Sequence, residues 1–325
     1  MSSHAANNMR AAAIMLAAMG VFATHDVVVK LLGATYAPMQ LLFFGSLLGF
    51  PIVAVILLND RRHESLRAKH PGWVMVRTAC AIVTGVSAFF AFSTLPLAQV
   101  YAILFATPLL ITILAIPILG EKVRLRRWAA VITGLVGVLI VLRPGQADLS
   151  LGHLAALAAS ICSAAVSVIA RKIGKDERSV VLLLYPMVGN FLVMGAMLPF
   201  VYVPMPLEHL GLMAVIAVFG LAGSFLVILA YREGEAVIVA PMQYSQIIWA
   251  TGYGYILFRE GLDLATVVGA TVIIASGVYI VFREARPGTS GNRPVLETRG
   301  RAEVVTAPRS SVLQRILSIR TAAER

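Results

Sequence analysis

Two uncharged stretches bound what this chain can become: residues 41–58 and residues 78–120 contain no Asp, Glu, Lys or Arg. About 20 consecutive apolar residues cross a hydrocarbon core roughly 30 Å thick. The first stretch is therefore one expected membrane span, and the second is long enough for two. Only 13% of the 325 residues are charged and 59% are hydrophobic, against about 25% and about 45–50% in ordinary soluble domains. In lipid the backbone must satisfy its own hydrogen bonds, which leaves helices or a closed barrel. The apolar runs are continuous and do not alternate with period two, so helices are expected. The fold class is an all-α integral membrane protein.

Charges, prolines and glycines divide the chain into about ten expected spans, at 11–32, 38–58, 73–94, 97–119, 128–142, 152–170, 180–202, 210–230, 236–258 and 262–282. The first is too long for the apolar part of a cleavable signal, and many spans follow it. An even count puts both termini on one side. That side receives Arg10; Arg61, Arg62, Arg67 and Lys69; Lys122, Arg124, Arg126 and Arg127; Arg171, Lys172, Lys175 and Arg178; and Arg232. The loops of the other side hold only Arg143 and Arg259. Such asymmetry places both termini in the cytoplasm. The net charge of +11 thus sits in span-flanking loops and the tail, not in a groove for phosphates, and nucleic acid is excluded as a partner. Cys80 and Cys162 fall inside apolar runs and read as buried thiols, not as a disulfide framework.

The two halves echo each other with an offset of about 140 residues. Ala91 and Phe92 match Ala230 and Tyr231; Glu121 matches Glu260; after a one-residue gap, Gly137, Ile140, Val141 and Arg143 match Gly277, Ile280, Val281 and Arg283. The expected organisation is a cytoplasmic N-terminal tail (1–10), a first five-span repeat (11–143), a linker (144–151), a second five-span repeat (152–284) and a basic cytoplasmic tail (285–325). An odd number of spans per repeat inverts one half relative to the other, the arrangement by which many secondary transporters exchange two states. Residues 285–325 are expected to be mostly disordered. Within them, Val312, Leu313, Ile316, Leu317 and Ile319, with Arg315 and Arg320 among them, have the spacing of a short helix on the anionic inner leaflet.

Four stretches carry a resemblance to the EamA-type branch of the drug/metabolite transporter superfamily, and together they cover nearly all of residues 11–284. DVVVKLLGATYAPMQLLFFGSLLGFP resembles the family's first hairpin, with its lysine at Lys30. ATPLLITILAIPILGEKVRLRRWAAVITGLVGVLIVLRPG resembles the end of the first repeat, with its Gly-Glu at Gly120 and Glu121. Residues 235–244 resemble a second-repeat pattern, and FREGLDLATVVGATVIIASGVYIVFRE the closing hairpin with its glutamate at Glu260. The resemblance implies ten spans, two repeats, a central cavity, no cofactor and no metal. Many relatives carry an arginine after the Phe-Phe pair of the second span; here that position is Gly45.

Polar groups inside the spans are the candidate site residues. An ionisable side chain in a span costs about 2.5–3.5 kcal/mol on insertion scales, so it faces a cavity or a partner. Asp26 and Lys30 lie one turn apart on the first span, close enough to pair, with His25 beside them. They read either as a proton-linked or substrate-binding group or as a self-neutralising pair. In the ninth span Gln243, Gln246 and Trp249 follow at intervals of three, and two amides with an indole suit a flat polar ligand; the alternative is hydrogen bonding between helices. Pro241 should loosen the helix just before that face. Tyr101 and Asn190 complete the candidates. Ser160, Ser163 and Ser167 read as a close-packing stripe, and Glu121 and Glu260 as caps or gate contacts.

No HExxH, GxSxG or Walker pattern and no clustered histidines occur in the chain, which argues against a membrane enzyme. The expected function is secondary active transport of a small polar metabolite by alternating access, such as an amino-acid derivative, a nucleoside-linked metabolite or a flavin-like solute. An uncoupled facilitator or drug exporter is the alternative. The expected partners are the solute, the lipid bilayer and coupling protons, with the chain acting as a monomer or homodimer.

Overall fold

A computed structural model describes residues 3–58, 67–121, 123, 125–143, 150–174 and 176–285. The linker 144–149, the expected leaflet helix and the rest of the tail lie outside the described residues. Among those described, every regular element is helical: α1 (Ser3–Gly33), α2 (Pro38–Leu58), α3 (Pro71–Thr94), α4 (Leu97–Leu104), α5 (Thr107–Leu119), α6 (Leu125–Leu142), α7 (Leu151–Ile173), α8 (Ser179–Val201), α9 (Leu207–Glu233), α10 (Ala236–Met242), a 3-10 turn (Gln243–Ser245), α11 (Gln246–Phe258) and α12 (Leu264–Ala285). Among the described residues, seven segments are long and apolar enough to cross a membrane: Asn7–Gly33, Pro71–Thr94, Leu97–Leu119, Leu151–Ile173, Val181–Val201, Leu207–Glu233 and Leu264–Phe282. Pro38–Pro51 and Arg127–Leu142 are apolar but shorter.

Two expected spans are broken near their middles. Residues 97–119 form α4 and α5, because Pro108 has no amide to give the Leu104 carbonyl and sits in the first turn of α5. Residues 236–258 form α10 and α11, with Pro241 inside α10 and the tighter 3-10 turn directly after it. The breaks fall at matching places in the two halves, and they touch: the rings of Phe105 and Tyr244 meet edge-to-face at 5.0 Å.

Helices pair across the halves. α1 packs on α9, α3 on α7, α2 on α8 and α6 on α12. Shifting each helix by the repeat offset turns α1–α9 into α7–α3 and returns the other two pairs to themselves. The α6–α12 contact is backbone-close: a Cβ on Gly137 would lie 2.9 Å from the Gly269 carbonyl oxygen, and one on Gly269 would lie 2.6 Å from that of Gly137. Ser276 adds a hydrogen bond to the Ala130 carbonyl across the same contact. Outward faces are apolar and exposed, as at Ile132, Leu139, Phe200, Ile248 and Ile256. So much exposed apolar surface suits lipid as the surrounding solvent, not water.

Candidate functional site

A cavity of about 150 Å³ lies between α1, α4, α5, α7, α9 and the α10–α11 break. Its wall includes Tyr101, Phe105, Ser163, Ser167, Tyr231, Gln243, Tyr244 and Gln246. Both breaks border it, through Phe105 on one side and Gln243, Tyr244 and Gln246 on the other. Room for the Tyr244 hydroxyl comes from Gly277 on α12, where a Cβ would lie 1.9 Å from that oxygen.

The expected residues arrive in three groups. His25, Asp26, Tyr101 and Gln246 come together as one buried chain of hydrogen bonds. His25 Nδ1 lies 2.7 Å from Asp26 Oδ1. The Tyr101 hydroxyl donates to Asp26 Oδ2, and Gln246 Nε2 donates to the Tyr101 oxygen at 3.0 Å. Asp26 thus stands behind the cavity wall and reaches the lumen through Tyr101. Gln243 also lines the cavity and donates to the Tyr231 hydroxyl at 2.6 Å.

Lys30 forms a second group, and it corrects the expected Asp26–Lys30 pair. Its ammonium lies 2.5 Å from Glu260 Oε1 and donates to the Leu95 carbonyl at 2.5 Å. The other oxygen of Glu260 accepts the Leu97 amide at 2.9 Å, capping the start of α4. One helical turn allows Asp26 and Lys30 to meet, but each finds a partner on another element.

Trp249 and Asn190 form the third group, outside the cavity wall. Trp249 was expected on the face of Gln243 and Gln246. Gln246 and Trp249 both lie in α11, where three residues turn only about 300°, so Trp249 is rotated off the face of Gln246 and lies outside, 42% exposed, with its indole against the bare face of Gly20. Asn190 donates to Ser46 Oγ at 2.8 Å and ties α8 to α2. Conversely, Ser163 and Ser167, read from their spacing as packing residues, line the cavity. Tyr231 and Phe105 also line it; the signal that could have found them is the repeat, which sets Tyr231 against Phe92 and Phe105 against Tyr244.

A second ion pair mirrors Lys30–Glu260. Arg171, one repeat offset from Lys30, lies 2.6 Å from Glu121, the counterpart of Glu260. Both glutamates follow a residue in the left-handed region, Gly120 at φ 71° and Arg259 at φ 55°. Both amides then reach back six residues, Glu121 to the Ala115 carbonyl and Glu260 to that of Gly254, which closes each helix with the same motif. Each pair joins one half to the other. Glu260 meets the residue that starts α4, whereas Glu121 follows the end of α5, so the pairs flank opposite ends of that broken span.

A membrane-embedded helical bundle whose halves meet around a cavity of mixed polar and apolar lining, with ion pairs at both ends, has the build of a solute transporter. The EamA-like transporter family model matches the chain twice, over residues 9–143 and 150–283, and the chain belongs to that family. It is 26% identical to an S-adenosylmethionine uptake transporter of Rickettsia prowazekii (strain Madrid E) over 82% of this chain and 90% of the relative. It is 23% identical to the pseudopaline exporter CntI of Pseudomonas aeruginosa (strain UCBPP-PA14) over 80% of this chain and 91% of that one. A solved crystal structure superposes with a TM-score of 0.56 at 19% identity, over 86% of this chain and 99% of the other, and supports the fold.

Proposed function

We propose that the protein is a secondary active transporter that moves a small polar metabolite across a bacterial inner membrane by alternating access. In this reading ten spans form two inverted five-helix repeats, both termini are cytoplasmic, and the central cavity is the solute site. The observation that carries it is the mirrored set of ion pairs, Lys30–Glu260 and Arg171–Glu121. Each latches one half to the other, and they flank opposite ends of a span that borders the cavity. If the halves are inverted, opening one latch and closing the other exchanges the conformations of the two repeats. Glu260 then belongs to the outer gate and Glu121 to the inner one. With both latches formed, the cavity is smaller than the roughly 300–1,000 Å³ that holds a drug-sized ligand, so a solute of that size requires its walls to move.

The named wall residues offer amides, hydroxyls and aromatic faces, and none is Lys or Arg. A neutral or zwitterionic solute suits that wall better than a polyanion. S-adenosylmethionine, the solute named for one relative, is a nucleoside-linked amino acid and is the first compound to try. The purified protein should gain thermal stability from a metabolite that occupies the cavity, because binding to the folded state stabilises it by mass action. Gln243→Ala should remove that gain while leaving the unliganded melting temperature within a few degrees. A stabilising metabolite indifferent to Gln243→Ala would place the site elsewhere.

Asp26 is the proposed coupling group. In proteoliposomes, Asp26→Asn should abolish solute accumulation driven by a proton gradient while equilibrium exchange of labelled solute persists. Unchanged proton dependence in that variant would leave an uncoupled facilitator as the better reading.

A further inference from the structure

We propose that the two ends of the cavity are sealed unequally: the Glu121 end is the solute's doorway in this conformation, and the spare carboxylate oxygen of Glu121 closes that doorway, by accepting the Ala236 amide, when the Glu260 end opens. The proposal rests on the transporter reading above, in which the Glu121 end faces the cytoplasm.

Glu260 holds its end with both oxygens. Oε1 meets the Lys30 ammonium, and Oε2 accepts the Leu97 amide at the start of α4. Glu121 uses one. Its Oε1 lies 2.6 Å from Arg171, on a side chain only 4% exposed, and its Oε2 is buried and accepts from no donor among the described residues. A buried carboxylate oxygen without a donor is costly, and the repeat names the missing partner. The offset that sets Glu121 on Glu260 sets Ala236 on Leu97. Both residues open a helix after an extended one, Pro96 at φ −56° and ψ 137°, Glu235 at φ −70° and ψ 134°. The chain thus enters both helices in the same way, and only the Leu97 amide has its glutamate.

Helix packing carries the same inequality. Toward the Glu260 end, α4 packs on α11 and on α12. Among the described residues the repeat counterparts, α10 with α5 and α10 with α6, make no comparable contact. The cavity lies where that packing is missing. Its wall takes Thr107, Pro108 and Ile111 from α5 and Ala240 from α10, but from α11 only the first residue, Gln246. It extends to Tyr231 in the last turn of α9 and to Val281 near the end of α12. Among the described residues, none of the wall comes from the first half of either helix, and both helices begin at the Glu260 end. In the inverted conformation the roles exchange: α10 closes on α5, Glu121 Oε2 takes the Ala236 amide, and the Leu97 amide leaves Glu260.

The test needs no solute. Ser167, on the cavity wall, is replaced by cysteine in a background of Cys80→Ala and Cys162→Ala. A membrane-impermeant maleimide is applied to the full chain in right-side-out and in inside-out vesicles. Labelling should be faster from the cytoplasmic side. Ala236→Pro removes the amide with a residue suited to the first position of a helix. It should lower labelling from outside about tenfold or more, the worth of one hydrogen bond to a charged acceptor, without slowing labelling from the cytoplasm. Ala236→Ser, which keeps the amide, is the control for the position. Equal or faster labelling from outside in the parent overturns the doorway, and an unchanged outside rate in Ala236→Pro overturns the closing role of Glu121. If Ala236→Pro does not fold, spin labels at Leu119 and Ile238 measure the separation of α5 and α10. A shorter separation should then appear in Glu260→Gln, and its absence overturns the closing role. Labelling from the cytoplasm alone in every variant, Glu260→Gln included, counts against alternating access itself and the closing role with it. Labelling from both sides with the wrong side preferred counts against the unequal ends alone.

Discussion

Gly137→Leu should yield almost no folded protein. The position faces Gly269 where α6 meets α12, and even a single carbon there would lie 2.9 Å from both the Gly269 carbonyl oxygen and Ile273 Cγ1, and 3.1 Å from Val272. The nearest obstacle is backbone, so no rotamer change relieves it. The helices would have to separate, exposing Ser276 and its bond to Ala130 and unseating the Gly277 surface that receives the Tyr244 hydroxyl. In lipid no hydrophobic force draws helices together, and close packing at small residues supplies much of the association. A loss of more than about 4 kcal/mol is expected, as for other severe overpacking in a core. Size-exclusion chromatography of a fluorescent fusion measures it. Thr133→Leu on the exposed side of the same helix is the control and should leave a monodisperse peak. A monodisperse Gly137→Leu peak with an unchanged melting temperature would show that this contact does not hold the halves together.

Glu260→Gln and Glu121→Gln should open the cavity to opposite sides. The Lys30 and Glu260 side chains are 12% and 16% exposed, and Arg171 and Glu121 are 21% and 4% exposed. Removing one partner of a buried pair costs about 3–5 kcal/mol, because the other charge is left without compensation. Partial solvation favours the lower end of that range. In the proposed alternating-access cycle the cost falls only on the conformation in which that end is closed, and about 3 kcal/mol then shifts the opening equilibrium by roughly 100-fold. A cysteine at Ser163, in a background of Cys80→Ala and Cys162→Ala, reports the shift through a membrane-impermeant maleimide. Labelling from outside should quicken in Glu260→Gln, and labelling from inside in Glu121→Gln. Equal labelling of both variants from each side would separate the ion pairs from gating.

The helices were legible because their signal is composition over long windows, and Asp26 because a charge in a span needs a reason to be there. Gln246 was named as a candidate from its spacing of three from Gln243 in the ninth span. What sequence spacing misjudged depended on geometry that no local rule contains. Lys30 was matched to the neighbour one turn away, but Glu260 lies on an element that arrives some 230 residues later. Trp249 was assigned by a spacing of three, but in the regular helix α11 three residues fall about 60° short of a full turn, which carries Trp249 off the face of Gln246. Pro241 signalled a weakness there but not its direction. Ser163 and Ser167 looked like any small-residue stripe, and only the course of α4 and α5 opposite them makes a lumen at their side. The exact places where the fourth and ninth spans break were likewise hidden in residues that also occur in unbroken helices.

The pairing of helices across the halves bears on how the protein is made. α1 leaves the ribosome first, yet its main packing partner, α9, begins at Leu207. At roughly 5–20 residues per second, α1 waits on the order of 10–40 seconds for that surface, and longer for the Glu260 that neutralises Lys30. Meanwhile it carries Lys30 into the membrane before Glu260 exists, at about 2.5–3.5 kcal/mol on insertion scales. Newly inserted α1 should therefore linger at the translocon or with an insertase until the second half emerges. A ribosome stalled after the first repeat would hold a helix that still slips back toward water.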